Sequence, residues 1–360
     1  MKKIYYFWIF LMCTTILSGC LGSAAKNKTP ISQTGFAFDT VITITLYDNT
    51  NTAVLDHCLA LCEQYESLFS ATLEDSEVWQ INHAGGQPTA VSYDTASLIQ
   101  AARYYCAQTQ GILDLTLRPV AEEWQISEQM KQAASTTDYE FYIPSDKTLS
   151  DLLKHVNYKN VRITDEAGTE MNYDTALSND TKYFVSLADD QSAIDLGFIA
   201  KGYVADHLKA YLLSEGVTSG IISLGGNILL IGSKPNGAPF NVGIQKPFGA
   251  VSEVITTLQK SETSVVSSGC YERYFVLDDI KKDKTIYHHI FDATTGYPVQ
   301  NDLLSVTILS DSSLEGDALS TYCYILGLER GLAYIQSLET VDAVFVTKDY
   351  EVIPSYTVSK

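Results

Sequence analysis

The sequence predicts an α+β fold: one domain built on a largely antiparallel, mixed sheet with packed helices. Three observations lead there. Branched runs recur in pairs around turn residues, most clearly Ile221-Ile-Ser-Leu224 and Ile228-Leu-Leu-Ile231 across Gly225-Gly226-Asn227, a hairpin signal. A few helical stripes are interleaved with these hairpins, which favours antiparallel pairing. Apolar content of 46% with 19% charged residues is ordinary for a globular chain, and no internal repeat is present.

The elements follow in order. Val41–Tyr47 alternates branched and hydroxyl residues, as a strand with one buried face does. Residues 53–69 place Val54, Leu55, Cys58, Leu59, Cys62, Tyr65 and Phe69 on one helical stripe. A helix is predicted over Thr95–Gln108, ending before Gly111. The stretch 125–185 is polar and reads as an irregular excursion, with a short helix near Leu149–His155. A short strand runs into Asp195, Gly197 breaks it, and a helix covers Ile199–Ser214. Strands are expected near 241–245, 273–277, 286–291 and 304–310. A helix opens after Ser312, with Glu315 three residues on as capping partner, and a last helix and strand end in Ala343–Val346.

The N-terminus reads as an export signal. Lys2 and Lys3 precede an apolar run from Ile4 to Leu17, too short for a stable membrane span. Leu17-Ser-Gly-Cys20 resembles the lipobox of bacterial lipoproteins, which implies acylation of Cys20. The expected organisation is therefore a signal peptide at 1–19, a polar lipid-anchored tether at 20–34 and a domain at 35–360. The expected place is the extracytoplasmic face of the cell membrane. Cleavage removes two of 24 bases and none of 43 acids, taking the net charge from −19 to −21. That charge argues against nucleic acid as a partner, and an anionic ligand would need a metal or local donors. Cys58, Cys62, Cys106, Cys270 and Cys323 are odd in number and complete no metal pattern, so buried apolar thiols are expected.

Four motifs are candidates for chemistry, each ambiguous alone. Gly225-Gly226-Asn227 reads as a hairpin turn. Asp195-Leu-Gly-Phe-Ile-Ala-Lys201-Gly202 reads as a strand-to-helix turn without the glycine spacing of a P-loop or dinucleotide fingerprint. Asp317 and Thr321 lie one helical turn apart, on what reads as a solvated face where a lone carboxylate is structurally dispensable. His288 and His289 sit in an apolar run, where strand alternation sends neighbouring rings to opposite faces.

Eight stretches in fixed order, "FAFDTVITITLYD", "LEDSEVWQIN", "GILDLTLRPV", "DLGFIAKGYVADHL", "SLGGNILLIG", "SSGCYERYF", "HHIFDATTGYPV" and "EGDALSTYCYILG", span residues 36–327. With them the chain resembles the ApbE-like FAD:protein FMN transferases. The resemblance implies an enzyme that splits FAD at its pyrophosphate, passes FMN to a threonine or serine hydroxyl of an exported redox or electron-transfer protein, and releases AMP. It implies Mg2+ at Asp317 and Thr321, with Ser320 where some relatives carry aspartate, and a main-chain oxygen at Gly197 or Phe198. Magnesium prefers such oxygen ligands. FAD contacts carried over are Phe38, Ile112, Leu113, Asp114, Asp195, Lys201, Gly225, Gly226, Asn227, and Ile290 or Phe291. Thr72 stands where many relatives have a flavin-stacking tyrosine. His289 matches the family's proton acceptor, and His288 is left to packing or orientation. An FAD pyrophosphatase using water as acceptor is the nearest alternative, and a non-catalytic flavin-binding lipoprotein is one of another class.

Overall fold

The structure, a computed structural model, describes residues 29–136, 138–250, 252–277 and 285–356. Residues 1–19 and Cys20 lie outside the described residues. The chain begins with a hairpin, β1 (Ile31–Ala37) and β2 (Thr40–Leu46). Then come α1 (Thr52–Phe69), α2 (Glu77–His83), β3 (Thr89–Val91), α3 (Tyr93–Gln108), α4 (Arg118–Trp124), α5 (Ile126–Ser135) and α6 (Asp146–Leu152). Strands β4 (Arg162–Asp165) and β5 (Tyr183–Ser186) precede α7 (Ala200–Ser214). Next are β6 (Ser219–Leu224), β7 (Asn227–Gly232), β8 (Phe240–Gln245), β9 (Val254–Lys260), β10 (Ser264–Gly269), β11 (Tyr274–Leu277), β12 (Thr285–His288) and β13 (Leu303–Ser310). The chain closes with α8 (Ser313–Leu326), α9 (Leu328–Gln336), β14 (Asp342–Thr347) and β15 (Val352–Pro354).

Eight strands form one sheet in the order β1-β2-β6-β7-β10-β13-β14-β15, antiparallel at every pairing. The predicted α+β class and antiparallel pairing are what the chain adopts. In β2 the period-two pattern buries Ile42, Ile44 and Leu46, while Thr43 and Thr45 bond hydroxyls on β1 at 3.2 and 2.9 Å. Every residue of β13 is buried, because both faces of the sheet are covered there. One face carries α7 and α8. The other carries the β8–β9 ribbon, whose Phe240, Val242 and Ile244 join Leu230, Val265 and Leu309 in a core cluster. The predicted stripe of α1 is buried along Val54, Leu55, Cys58, Cys62, Tyr65 and Phe69. Among the described residues all five cysteines are free and buried, and burial pushes the Cys58 and Cys62 thiols up to about 12, so both are inert.

Three expectations change. The stretch 125–185 is not irregular: it holds α5, α6, β4 and β5, and β3-β5-β4 form a small sheet of their own. Polar anchors order it, such as the Gln129 side chain, which donates to the Trp124 carbonyl at 2.8 Å and accepts from Tyr142 N–H at 2.6 Å. The sheet starts at Ile31, so the last four residues of the span 20–34 are in β1. The strand expected over 286–291 stops at His288, where the chain bends and Asp292 closes a turn through Thr294 N–H and Gly296 N–H.

The two helices that matter most meet at a glycine. A Cβ on Gly202 would lie 2.6 Å from Leu314 Cα and closer still to the Ser313 carbonyl oxygen. Backbone cannot yield as a flexible side chain does, so Gly202→Ala must push the first turn of α7 off α8. Overpacking of this kind costs about 1–3 kcal/mol, and thermal denaturation should show a lowered midpoint. An unchanged midpoint would contradict the close contact.

Candidate active site

Asp195 and Gly197 precede α7, and Lys201 stands in its first turn. Asp195 is fixed from both sides: its N–H donates to the Leu115 carbonyl at 2.8 Å, and its Oδ1 accepts Gly197 N–H at 2.7 Å. A Cβ at residue 197 would sit 2.9 Å from that same oxygen. Oδ2 faces the Arg118 guanidinium at 3.3 Å, and Arg118 also holds Glu122 at 2.7 Å. Phe198 is half-buried against the main core.

α7 has no side-chain cap of its own; its N-cap residue is Ile199. Asp317 of α8 takes that place, its Oδ2 accepting Gly202 N–H at 2.9 Å. At 4% exposure it is no solvated helix face, and the expectation that this carboxylate is structurally dispensable is corrected. Burial raises its carboxyl above the ordinary range. Lys201 and the Gly202 N–H act in the opposite sense, while Glu272 and Asp206 reinforce burial. Asp206 reciprocates from α7: its carboxylate accepts from Ser312 Oγ at 2.8 Å and from the Ser313 and Leu314 amides at 2.9 and 3.0 Å.

Beside Asp317 stand three hydroxyls. Ser320 Oγ lies 3.0 Å from the Asp317 carbonyl, and Ser268 Oγ of β10 lies 2.8 Å from Ser320 Oγ and 3.1 Å from Thr321 Oγ1. Among the described residues no three His, Cys, Asp or Glu side chains converge as a metal cluster. A cation here would rest on one carboxylate, hydroxyls and main-chain oxygens, a hard donor set that suits magnesium.

The histidines have different surroundings. His288 is 1% exposed; its Nδ1 accepts from Ile290 N–H at 3.2 Å and its Nε2–H donates to the Val299 carbonyl at 2.8 Å. That pair of bonds fixes one neutral tautomer, and burial lowers its pKa to about 4. His289 is half-buried, with Nδ1 3.4 Å from the Arg273 carbonyl. Its pKa is also lowered to about 4, by burial first, then by Arg273; Lys201 acts the same way and Asp195 against. His289 therefore shares its electrostatic surroundings with the Asp195–Lys201 turn.

The remaining predicted contacts are placed as follows. Phe38 and Asp39 form the β1–β2 turn, both with left-handed backbone (φ 54° and 56°), and the Phe38 N–H donates to Glu66 Oε1 at 2.7 Å. Asp39 reaches Arg273 at 3.8 Å, which ties this turn to the His289 side. Gly225 (φ 69°) is required by packing, since a Cβ would strike Thr40 Oγ1; Gly226 faces Glu272. Asn227 is buried, its Oδ1 accepting from Ser313 Oγ at 2.7 Å, so it braces α8. Asp114 is occupied by Thr116 and Tyr158 N–H, while Leu113 is buried and Ile112 half-buried. This segment borders an open cavity of about 320 Å3 lined by Gln110, Gly111, Asp114, Asn157, Tyr158 and Lys159. Ile290 and Phe291 are each 6% exposed and pack into two different core clusters. Thr72 is exposed and bonds Ser70 at 3.2 Å. Sequence reasoning missed Arg118, Asp206 and Ser268. All three lie within or beside quoted blocks, but only tertiary contacts give them their place.

The sequence profile of the ApbE family matches residues 38–345. The chain belongs to the ApbE family. It is 31% identical over 315 residues to an FAD:protein FMN transferase of Klebsiella pneumoniae, covering 87% of this chain and 88% of that one. A second FAD:protein FMN transferase, from Treponema pallidum, is 29% identical over 368 residues, with 98% and 94% covered. The crystal structure of the ApbE protein of Thermotoga maritima superposes with a TM-score of 0.74 at 28% identity, over 90% of this chain and 96% of that one.

In this ApbE-family chain the neutral His288 makes stability depend on pH. Its folded pKa of about 4 lies below the ordinary value of 6.5. The unfolded chain therefore takes up the proton first, and stability is full above pH 6.5 and falls as the pH drops towards 4. The loss is about 3 kcal/mol at 1.36 kcal/mol per unit. His288→Gln keeps a donor for Val299 but has no titrating ring. Denaturant titrations at pH 7 and pH 4 should therefore show a smaller pH-dependent loss in the variant than in the native chain; equal losses would refute the assignment.

Proposed function

We propose that this ApbE-family protein transfers FMN from FAD to a threonine or serine hydroxyl of an exported acceptor protein, releasing AMP. The observation carrying this is the meeting of Asp195, Lys201, the buried Asp317 and the uncharged His289 around one turn. The names of its relatives support the same activity.

In the proposed reaction the acceptor hydroxyl attacks the phosphorus on the FMN side of the diphosphate. The bond from that phosphorus to the bridging oxygen breaks, and AMP departs with the oxygen. The hydroxyl proton passes to His289. A histidine lowered to about 4 is uncharged at neutral pH and free to accept it. The anionic diphosphate beside it raises its basicity during the step. Asp317 and Thr321, with Ser320 beside them and a main-chain carbonyl of Gly197 or Phe198, would hold magnesium, which supplies charge neutralisation on the diphosphate. Lys201 adds a fixed positive charge, and Arg118 positions Asp195 towards the nucleotide.

Incubation with FAD, Mg2+ and a candidate acceptor should add the mass of FMN to the acceptor. AMP release without that mass shift would favour hydrolysis instead. His289→Ala should slow transfer by about 10²–10⁴-fold and leave FAD affinity nearly unchanged, with His288→Ala much less affected in transfer. Equal losses for both variants, or lost FAD binding at His289, would assign the pair to holding the strand end.

The proposed location is the extracytoplasmic face of the membrane, through lipid on Cys20. Cys20→Ser should move the protein from the membrane to the soluble fraction with transfer activity retained. Unchanged membrane association would end that assignment.

A further inference from the structure

The three hydroxyls beside Asp317 fix the direction of their own protons. Each has one hydrogen to donate, and four contacts compete for three: Ser320 to the Asp317 carbonyl at 3.0 Å, Ser320–Ser268 at 2.8 Å, Ser268–Thr321 at 3.1 Å, and Thr321 to the Asp317 carbonyl at 3.5 Å. Using the three shortest leaves one solution. Ser320 donates to the carbonyl, Ser268 donates to Ser320, and Thr321 donates to Ser268. The opposite direction abandons the 3.0 Å contact and relies on the one at 3.5 Å, at the limit of a hydrogen bond.

We infer that Ser268 is a positioning residue for the cation site, its oxygen taking the Thr321 proton so that both lone pairs of Thr321 Oγ1 are free for a metal. A hydroxyl ligates a hard cation through a lone pair, so its proton must have another acceptor. Ser268 is that acceptor. It comes from β10, across the sheet–helix contact, where Gly316 allows α8 to lie close: a Cβ there would be 2.9 Å from Val266 Cγ2. Ser320 has a defined part as well. Its oxygen receives the Ser268 proton and passes the chain of donors to a backbone carbonyl, which makes it a support for Thr321. Asp317 then supplies the charge, one oxygen held by Gly202 N–H and the other left without a hydrogen bond among the described residues.

This rests on the magnesium assignment proposed above, and one experiment separates the two. Mn2+ as a probe ion is titrated into the full-length protein with FAD present, following free Mn2+ by electron paramagnetic resonance, for the native chain, Ser268→Ala and Ser268→Thr. The expected result is a dissociation constant raised about 10–100-fold in Ser268→Ala, the usual cost of losing an outer-shell partner. Ser268→Thr, which keeps the hydroxyl, should restore most of the affinity. Equal Mn2+ affinity in Ser268→Ala and the native chain overturns the role of Ser268 while leaving the metal assignment standing. Equal weakening in Ser268→Thr and Ser268→Ala overturns it too, since the hydroxyl would then be irrelevant. Failure of the native chain to take up Mn2+ overturns both.

Discussion

The arrangement of the site depends on one hydrogen bond, from Gly202 N–H in the first turn of α7 to the Asp317 carboxylate in α8. The opening N–H groups of a helix have no partner within it, and α7 brings no capping side chain of its own. A carboxylate buried to the degree of Asp317 would protonate if nothing compensated its charge. Each deficiency answers the other. Asp206 makes the same exchange in reverse, placing a carboxylate from α7 on the first amides of α8. The two helices are therefore clamped by a reciprocal pair of acid-to-amide contacts, with Gly202 as the contact point that lets their backbones approach.

Other constraints converge on that clamp. Arg118 at the head of α4 holds Asp195, which in turn holds Gly197 N–H, so the turn before α7 arrives in a fixed shape. Asn227, at the end of the Gly225-Gly226 turn, braces Ser313 at the head of α8. Glu66 pins the left-handed Phe38 turn, whose Asp39 faces Arg273 beside His289. His288, locked between Ile290 and Val299, fixes the strand end that presents its neighbour. Most of the polar residues in these motifs therefore position others, and few are left exposed for ligand.

Much of the fold was legible in the sequence because its core follows simple periods. The stripe of α1, the β6–β7 hairpin and the Ser312 start of α8 were all visible, since burial there is decided by local pattern. β1 was not: as an edge strand with one face exposed, Ile31-Ser-Gln-Thr-Gly-Phe-Ala carries little apolar signal. The stretch 125–185 was misjudged because side-chain to backbone bonds at Gln129, Gln100 and Arg103 order much of it, and these have no periodicity. Within the site, the pairing of Asp317 with Thr321 was readable from helix geometry. Its burial was not, nor were Arg118, Asp206 and Ser268, which meet their partners across 77, 106 and 52 residues of chain. Spacing reports what shares one element; it is silent on what two elements do to each other.

The charge of the whole chain sets a last requirement. A net charge of −19 opposes any anionic ligand at long range, yet screening limits that opposition to about 8 Å at physiological ionic strength. Within that distance the local inventory decides. Lys201 acts on both Asp317 and His289, and Arg273 acts on His289, so both cations belong to the site itself. Asp317, by contrast, has Asp206 and Glu272 adding to its burial, which raises the cost of keeping it charged. A cation beside it would relieve that cost, and an anionic diphosphate would relieve the crowding of Lys201 and Arg273 around an uncharged histidine. The two ligands of the proposed reaction thus stabilise opposite halves of one site, so each should bind better when the other is present.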